Sequence, residues 1–149
     1  MNNIELTQAI VTRLAGYMPF LEVGTYPNNP ADYRFIHPLG AVLVMYQESD
    51  GDANQRERRF DVVAVSREML DSCRIIEAVR WILTRWEPYL GSGRFACVHD
   101  SFMNEEEGVW WYGSRFAVVG PPLHVKETDL QARINNLFEI GRASCRERV

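Results

Sequence analysis

Long apolar runs are missing from this sequence. None approaches the roughly 20 residues that cross a bilayer, so no membrane span is expected. The first residues, Met1-Asn2-Asn3-Ile4-Glu5, lack the basic region and apolar stretch of a secretory signal, and the expected site of synthesis is the cytoplasm. Cysteine is scarce, with three in 149 residues and no CxxC pair. That argues against a zinc site or a redox motif. The three histidines, His37, His99 and His124, are isolated from one another, and no HExxH is present. Also absent are the GxxxxGK phosphate loop, the GxGxxG turn and the GxSxG nucleophile elbow. No segment repeats and none is of low complexity. With no convergent polar cluster legible, the expectation is a protein without catalytic residues, cofactor or metal.

What is present is ordinary for a folded domain: 46% hydrophobic and 24% charged residues in a length that suits a single core. The net charge is −4, a poor match for phosphate backbones. No sequence-specific nucleic-acid partner is therefore expected. The terminal run from Glu139 to Val149 stands apart. It back-translates into a string that reads like a common sequencing adapter, and it is set aside as a translated artefact. Without it, Lys+Arg falls from 16 to 13, Asp+Glu from 20 to 18, and the net charge becomes −5. The expected organisation is one domain over residues 1–138 followed by the artefact at 139–149. Of the two remaining cysteines, Cys73 falls on an apolar helical stripe and reads as a small buried hydrophobe. A bridge to Cys97 is not expected in a reducing compartment.

Periodicity supplies the elements. Leu6, Ile10, Leu14 and Tyr17 recur at helical spacing, so a helix runs from about Ile4 to Met18, with Asn2 as cap, Glu5 completing a capping box, and Pro19 as stop. Phe20–Val23 is a short extended segment, and Tyr26–Asp32 is a surface loop of turn formers. Gly40–Tyr46 is a buried strand. Glu48–Gln55 is a polar connection. Arg56–Ser66 alternates, with Phe60, Val62 and Ala64 on one face and Arg59, Asp61, Val63 and Val65 on the other, and pairs antiparallel with Gly40–Tyr46. Met69–Trp86 is the clearest helix, its stripe running through Met69, Cys73, Ile76, Val79, Leu83 and Trp86, with Ser66 as candidate cap and Pro88 and Gly91 as terminators. Gly93–Phe102 and Val109–Val119 are extended. Asn104 and Gly108 suit a hairpin connection longer than two residues between them. Pro121-Pro122 closes the sheet region, and His124–Phe138 is ambiguous. The fold class is α+β: an antiparallel or mixed sheet with two main helices on one face, in the order helix, strands, helix, β-hairpin.

Four surface features bear on chemistry. Glu105-Glu106-Glu107 is adjacent charge at a hairpin tip, without the alternate spacing of a calcium loop. Asp50 and Asp52 flank Gly51 but lack the downstream acidic ligand. Arg56, Arg58 and Arg59 form a basic cluster that would suit an acidic partner or nucleic acid, while Asp50, Asp52 and Glu57 beside it favour an ordinary exposed strand start. Val109-Trp110-Trp111-Tyr112 places aromatics on both faces of one strand. Trp110, Tyr112, Phe116 and Val118 share one face. Trp111, with Arg115 and Ala117, points the other way. It is either an interface anchor or covered by a helix or by the end of the chain.

In combination and order these segments resemble a known family: the small proteins of Mu-like phages and prophages related to Mu gene product thirty-seven. The features are Ile10-Val11-Thr12-Arg13-Leu14; Tyr26-Pro27 with Pro30 and Tyr33; His37-Pro38-Leu39-Gly40-Ala41-Val42-Leu43-Val44 with Tyr46; Gln55-Arg56-Glu57-Arg58-Arg59-Phe60; and Gly108-Val109-Trp110-Trp111-Tyr112 with Phe116-Ala117. The loop at Glu48–Asn54 is shorter than in many members. The resemblance implies a structural protein of the phage tail or neck. The element order is also similar to that of tail-terminator proteins, which form rings, often hexamers, on the tail tube at the head–tail junction. By that analogy the partners are further copies of the chain and the tail-tube and neck proteins. The setting is the virion tail after assembly in the host cytoplasm. Trp111, Arg115, Arg56 and Arg58 are the candidate subunit-interface residues. Competing readings are another neck or baseplate component, a small phage enzyme, and a host-directed binding module.

Overall fold

The structure, a computed structural model, describes the backbone of residues 1–52, 54–121 and 124–147. Ala53, Pro122, Leu123, Arg148 and Val149 lie outside the described residues, as do the side chains of 101–103 and 140–147. Helix α1 spans Asn3–Tyr17. Its start follows from the capping box: the Asn2 side chain accepts from the Glu5 N–H at 2.8 Å, and the Glu5 carboxylate accepts from the Asn2 N–H at 3.2 Å. Strand β1 is Glu22–Thr25, followed by a 3-10 turn at Pro30–Asp32. Strands β2 (Ala41–Gly51) and β3 (Arg56–Ser66) lead to helix α2 at Met69–Leu83. Strands β4 (Ala96–Glu106) and β5 (Val109–Gly120) form the hairpin. The segment between His124 and Phe138, ambiguous in sequence, contains a 3-10 turn at Glu127–Asp129 and the start of helix α3, Leu130–Glu147.

The strands form one sheet in the order β1-β2-β3-β5-β4. β1 runs parallel to β2, and the other neighbours are antiparallel, so the sheet is mixed. The fold is α+β, as expected. Both α1 and α2 lie on one face, where Leu6, Ile10 and Leu14 from α1 and Ile75, Ile76, Val79 and Leu83 from α2 close over Val42, Val44, Phe60, Val62, Ala64 and Phe116. The alternation read along β3 is correct: Val63 and Val65 face away from the helices and join Ala41, Leu43 and Phe35 in a second, smaller cluster.

Four expectations need correction. The polar stretch after Tyr46 is largely strand, because β2 absorbs an irregularity between Tyr46 and Glu48 and continues to Gly51. The β4–β5 connection is the two-residue turn Glu107-Gly108, not a longer loop. Both residues have positive φ, 52° and 79°, which is the backbone a tight, right-twisted hairpin needs. Ser66 does not cap α2. Glu68 holds that position without a side-chain bond, while the Ser66 hydroxyl donates to the Glu68 carbonyl and lies 2.6 Å from the Ser72 hydroxyl. The buried stripe of α2 is accordingly rotated toward Ser72 and Ile75, and Met69 is exposed. Finally, α2 ends at Leu83 rather than Trp86. The Arg85 N–H donates to the Phe95 carbonyl and the Phe95 N–H to the Trp86 carbonyl, and these bonds turn the chain away.

Candidate assembly surfaces

The sheet face opposite the helices divides into an apolar half and a charged half. The apolar half centres on Trp111, packed with Phe35, Leu43, Val63 and Val65. Tyr26 and Tyr33 stand edge-on to its indole, each at 6.4 Å between centroids, in the arrangement that ring quadrupoles favour. Trp111 is thus half-buried under the segment that follows β1, neither bare nor capped by a helix. The Tyr33 hydroxyl donates to Glu22 at 2.7 Å. Burial, and then that carboxylate, hold the Tyr33 phenol protonated far above its usual range. A groove of about 510 Å³ runs beside it, between Arg34, Phe35, Arg67, Glu106 and Trp111.

The charged half is a lattice of paired side chains. Asp61 accepts from Arg115 at 2.9 Å and from Gln47 at 2.6 Å. Arg59 bridges Glu48 at 2.7 Å and Glu57 at 2.5 Å, and its guanidinium is raised above its usual range by hydrogen bonds to Glu48 and Glu57. Arg115 is likewise raised, chiefly by its bond to Asp61. Because these pairs are partly solvated, they set orientation more than stability.

The four residues singled out from sequence separate here. Trp111 and Arg115 do lie on the same face of β5. Arg58, in contrast, is buried under the helix layer with 6% exposure and donates to the Met1 carbonyl at 2.6 Å. It fastens the start of α1 to the sheet. Arg56 sits half-buried at the far end of β3, opposite Gly120.

On the helix side of the hairpin, Asp100 accepts from Tyr112 at 2.6 Å and from Arg80. The Tyr112 hydroxyl, with help from Arg80, keeps Asp100 below the usual carboxylate range. Asp100 in turn pushes the phenol up to about 12. The trio therefore has a fixed charge across the neutral range, which suits a structural clasp between α2 and β4 rather than proton transfer. Nothing in the sequence pattern paired these residues, because the contact depends on which neighbour β4 takes in the sheet. Among the described residues, no three His, Cys, Asp or Glu side chains are grouped to hold a metal ion. No described helix is long and apolar enough to cross a membrane.

Both lateral edges of the sheet are open among the described residues. Among the described residues β4 has one strand neighbour, β5, while Phe95 just before it is paired with Arg85 and Trp86. β1 covers β2 from Ala41 to Val44 and stops, so the rest of β2 has a free outer edge. Edges of this kind are templates for another strand. A model of the Gp37 protein family matches residues 10–139, most of the chain and all of its sheet. The chain belongs to the Gp37 family. It is a gp37-type phage protein, and the resemblance read in the sequence is correct to that extent. Among curated proteins, none matches the sequence.

Proposed function

We propose that this Gp37 protein is a non-enzymatic structural subunit of a Mu-like phage tail, one copy of a tail-terminator-like ring, in which the hexamer is the expected form. The ring would seat on the tail tube at the head–tail junction, with tube and neck proteins as its neighbours and the host cytoplasm as the place of assembly. The observation that carries the reading is the pair of different open edges on one sheet. A chain with two unlike sticky edges joins head to tail, and head-to-tail contacts close into rings when the rotation allows. Among the described residues of the charged face, Asp61 is engaged with Arg115 and Gln47 and Arg59 with Glu48 and Glu57, an arrangement that suits assembly. Residues 1–138 are the functional domain in this reading, and 139–149 are translated adapter.

Position in the virion tests this directly. Gold-labelled antibody against the protein is expected to mark purified particles at the head-proximal end of the tail. Label at the distal end would transfer the protein to the baseplate, and particles without label would end the structural reading.

A further inference from the structure

Helix α2 buries one side and leaves an aromatic on the other. Val79 and Leu83 face the core and are fully buried. Trp81 lies two residues beyond Val79, and a turn of about 100° per residue puts it on the opposite side of the helix. It is 76% exposed, whereas Trp86, Trp110 and Trp111 are half-buried. Leu70, about three turns earlier, falls in the same line and is also exposed. The elements that meet α2 are β3 and β5 beneath it and α1 beside it. A tryptophan held on the outer face of a helix is the side chain most suited to anchor a contact.

Helix α3 carries a second apolar line. Leu130, Ile134 and Phe138 recur at every fourth residue and so share one side of the helix over about two turns. All three are exposed. In its own chain α3 leans on α1, and that contact leaves the line uncovered. The whole line lies before residue 139.

The two lines fit each other when the helices run antiparallel. Each helix rises by the same amount per residue, so a count up one matches a count down the other. With Ile134 set against Ala78, the small residue on the flank of the α2 line, Trp81 falls between the levels of Leu130 and Ile134. That is where a knob enters the space between two side chains. Phe138 comes level with Arg74, whose guanidinium can lie over the ring. Glu127 and Asp129, exposed on the turn before α3, reach the end of α2, where Arg85 is exposed. A parallel arrangement would set Glu127 level with Asp71 instead, acid against acid. Charge therefore selects the antiparallel sense.

We propose that α3 of one copy packs antiparallel on the outer face of α2 in the next, with Leu130 and Ile134 astride Trp81. This inference rests on the ring reading and adds a contact between two unlike helices, which also joins copies head to tail. The occupant of the α2 face is a second copy of the same chain, selected by spacing and by flanking charge. Within one chain α3 lies against α1 instead.

The test uses two full-length variants, Trp81→Ala on α2 and Ile134→Lys on α3, with circular dichroism to confirm folding and light scattering over a concentration series for mass. Wild type should assemble into one closed species. Each variant alone should associate at least about 30-fold more weakly, the loss expected for a tryptophan hot spot. An equimolar mixture should form dimers at concentrations where either variant alone is monomeric, because the intact α3 of one can meet the intact α2 of the other. Variants that match an assembled wild type at every concentration would overturn this contact and leave the ring reading standing. A mixture no larger than its parts would overturn it too. A monomeric wild type would overturn both. Should Ile134→Lys fail to fold, the exposed charges give a second readout. Glu127→Arg and Arg85→Glu should each weaken assembly by about 2–5-fold, the scale of an exposed ion pair. The double variant should recover wild-type association, and a double variant that stays as weak as the singles would refute the antiparallel contact.

Discussion

Replacing Phe60 by alanine is expected to lower the unfolding free energy by about 3–5 kcal/mol, in the range for deletion of a fully buried aromatic. Phe60 has no exposed surface. Its ring meets Tyr46 edge-on at 5.5 Å and Phe95 at 6.1 Å, and Phe95 in turn stacks on Trp86 at 5.6 Å. One side chain thus joins β2, β3, the end of α2 and the approach to β4. Truncation loses the transferred surface and leaves a cavity that several elements would have to collapse together to fill. The ring's edge-on neighbours add roughly 0.5–1.5 kcal/mol each beyond burial. Urea unfolding at 25 °C measures the loss, and a change below about 1 kcal/mol would show that this aromatic chain does not anchor the core.

The second large effect concerns Trp111. Trp111→Ala is expected to cost about 3 kcal/mol, the lower end of the range for aromatic truncation, because the indole is only half-buried. The loss arises within the chain: Tyr26 and Tyr33 lose the ring on which they stand, and the segment over the second cluster loses its floor. A tryptophan serving mainly as an anchor between copies would behave differently. Its removal would leave monomer stability near the wild-type value and abolish assembly. Unfolding at a concentration where the protein is monomeric, paired with mass at high concentration, separates the two. The structure favours the first pattern.

The fate of Trp111 shows what was legible in the sequence and what was not. Strand alternation put Trp111 and Tyr112 on opposite faces, and it put Phe60 and Val63 on opposite faces, because a period of two is a local property of the chain. The face of α1 that packs on the sheet was equally plain, since Leu6, Ile10 and Leu14 recur at helical spacing and are fully buried. Partners across elements were hidden. Nothing local indicated that Tyr26 and Tyr33, among turn formers, would stand against Trp111, or that Arg58, which alternation places on the face of Phe60, would bond the Met1 carbonyl. The hairpin turn was misjudged because its residues are Glu107 and Gly108. Glutamate at positive φ is uncommon, so the signal of an Asn-Gly or Asp-Gly pair was missing. The cap of α2 failed for a similar reason. Ser66 has the chemistry of a cap, but it is the last residue of β3, and its hydroxyl is held by Glu68 and Ser72.

The assembly surfaces were the least legible part. An open edge is a property of the sheet order, and β1 ending level with Val44 is what leaves the rest of β2 uncovered. The family match and the resemblance in sequence point to a phage protein. On the proposed reading, the sheet edges are what would make it a component rather than a solitary domain. Arg115, singled out beside Trp111, is engaged by Asp61 and orders the charged face.

The most direct test of that claim is the mass of the protein in solution, by light scattering after size exclusion, on the full-length chain and on one ended at Phe138. A single species of defined multiple mass, six-fold for a hexameric ring, is the expected result for both. A monomer that persists in both at high concentration would contradict self-assembly through the sheet edges.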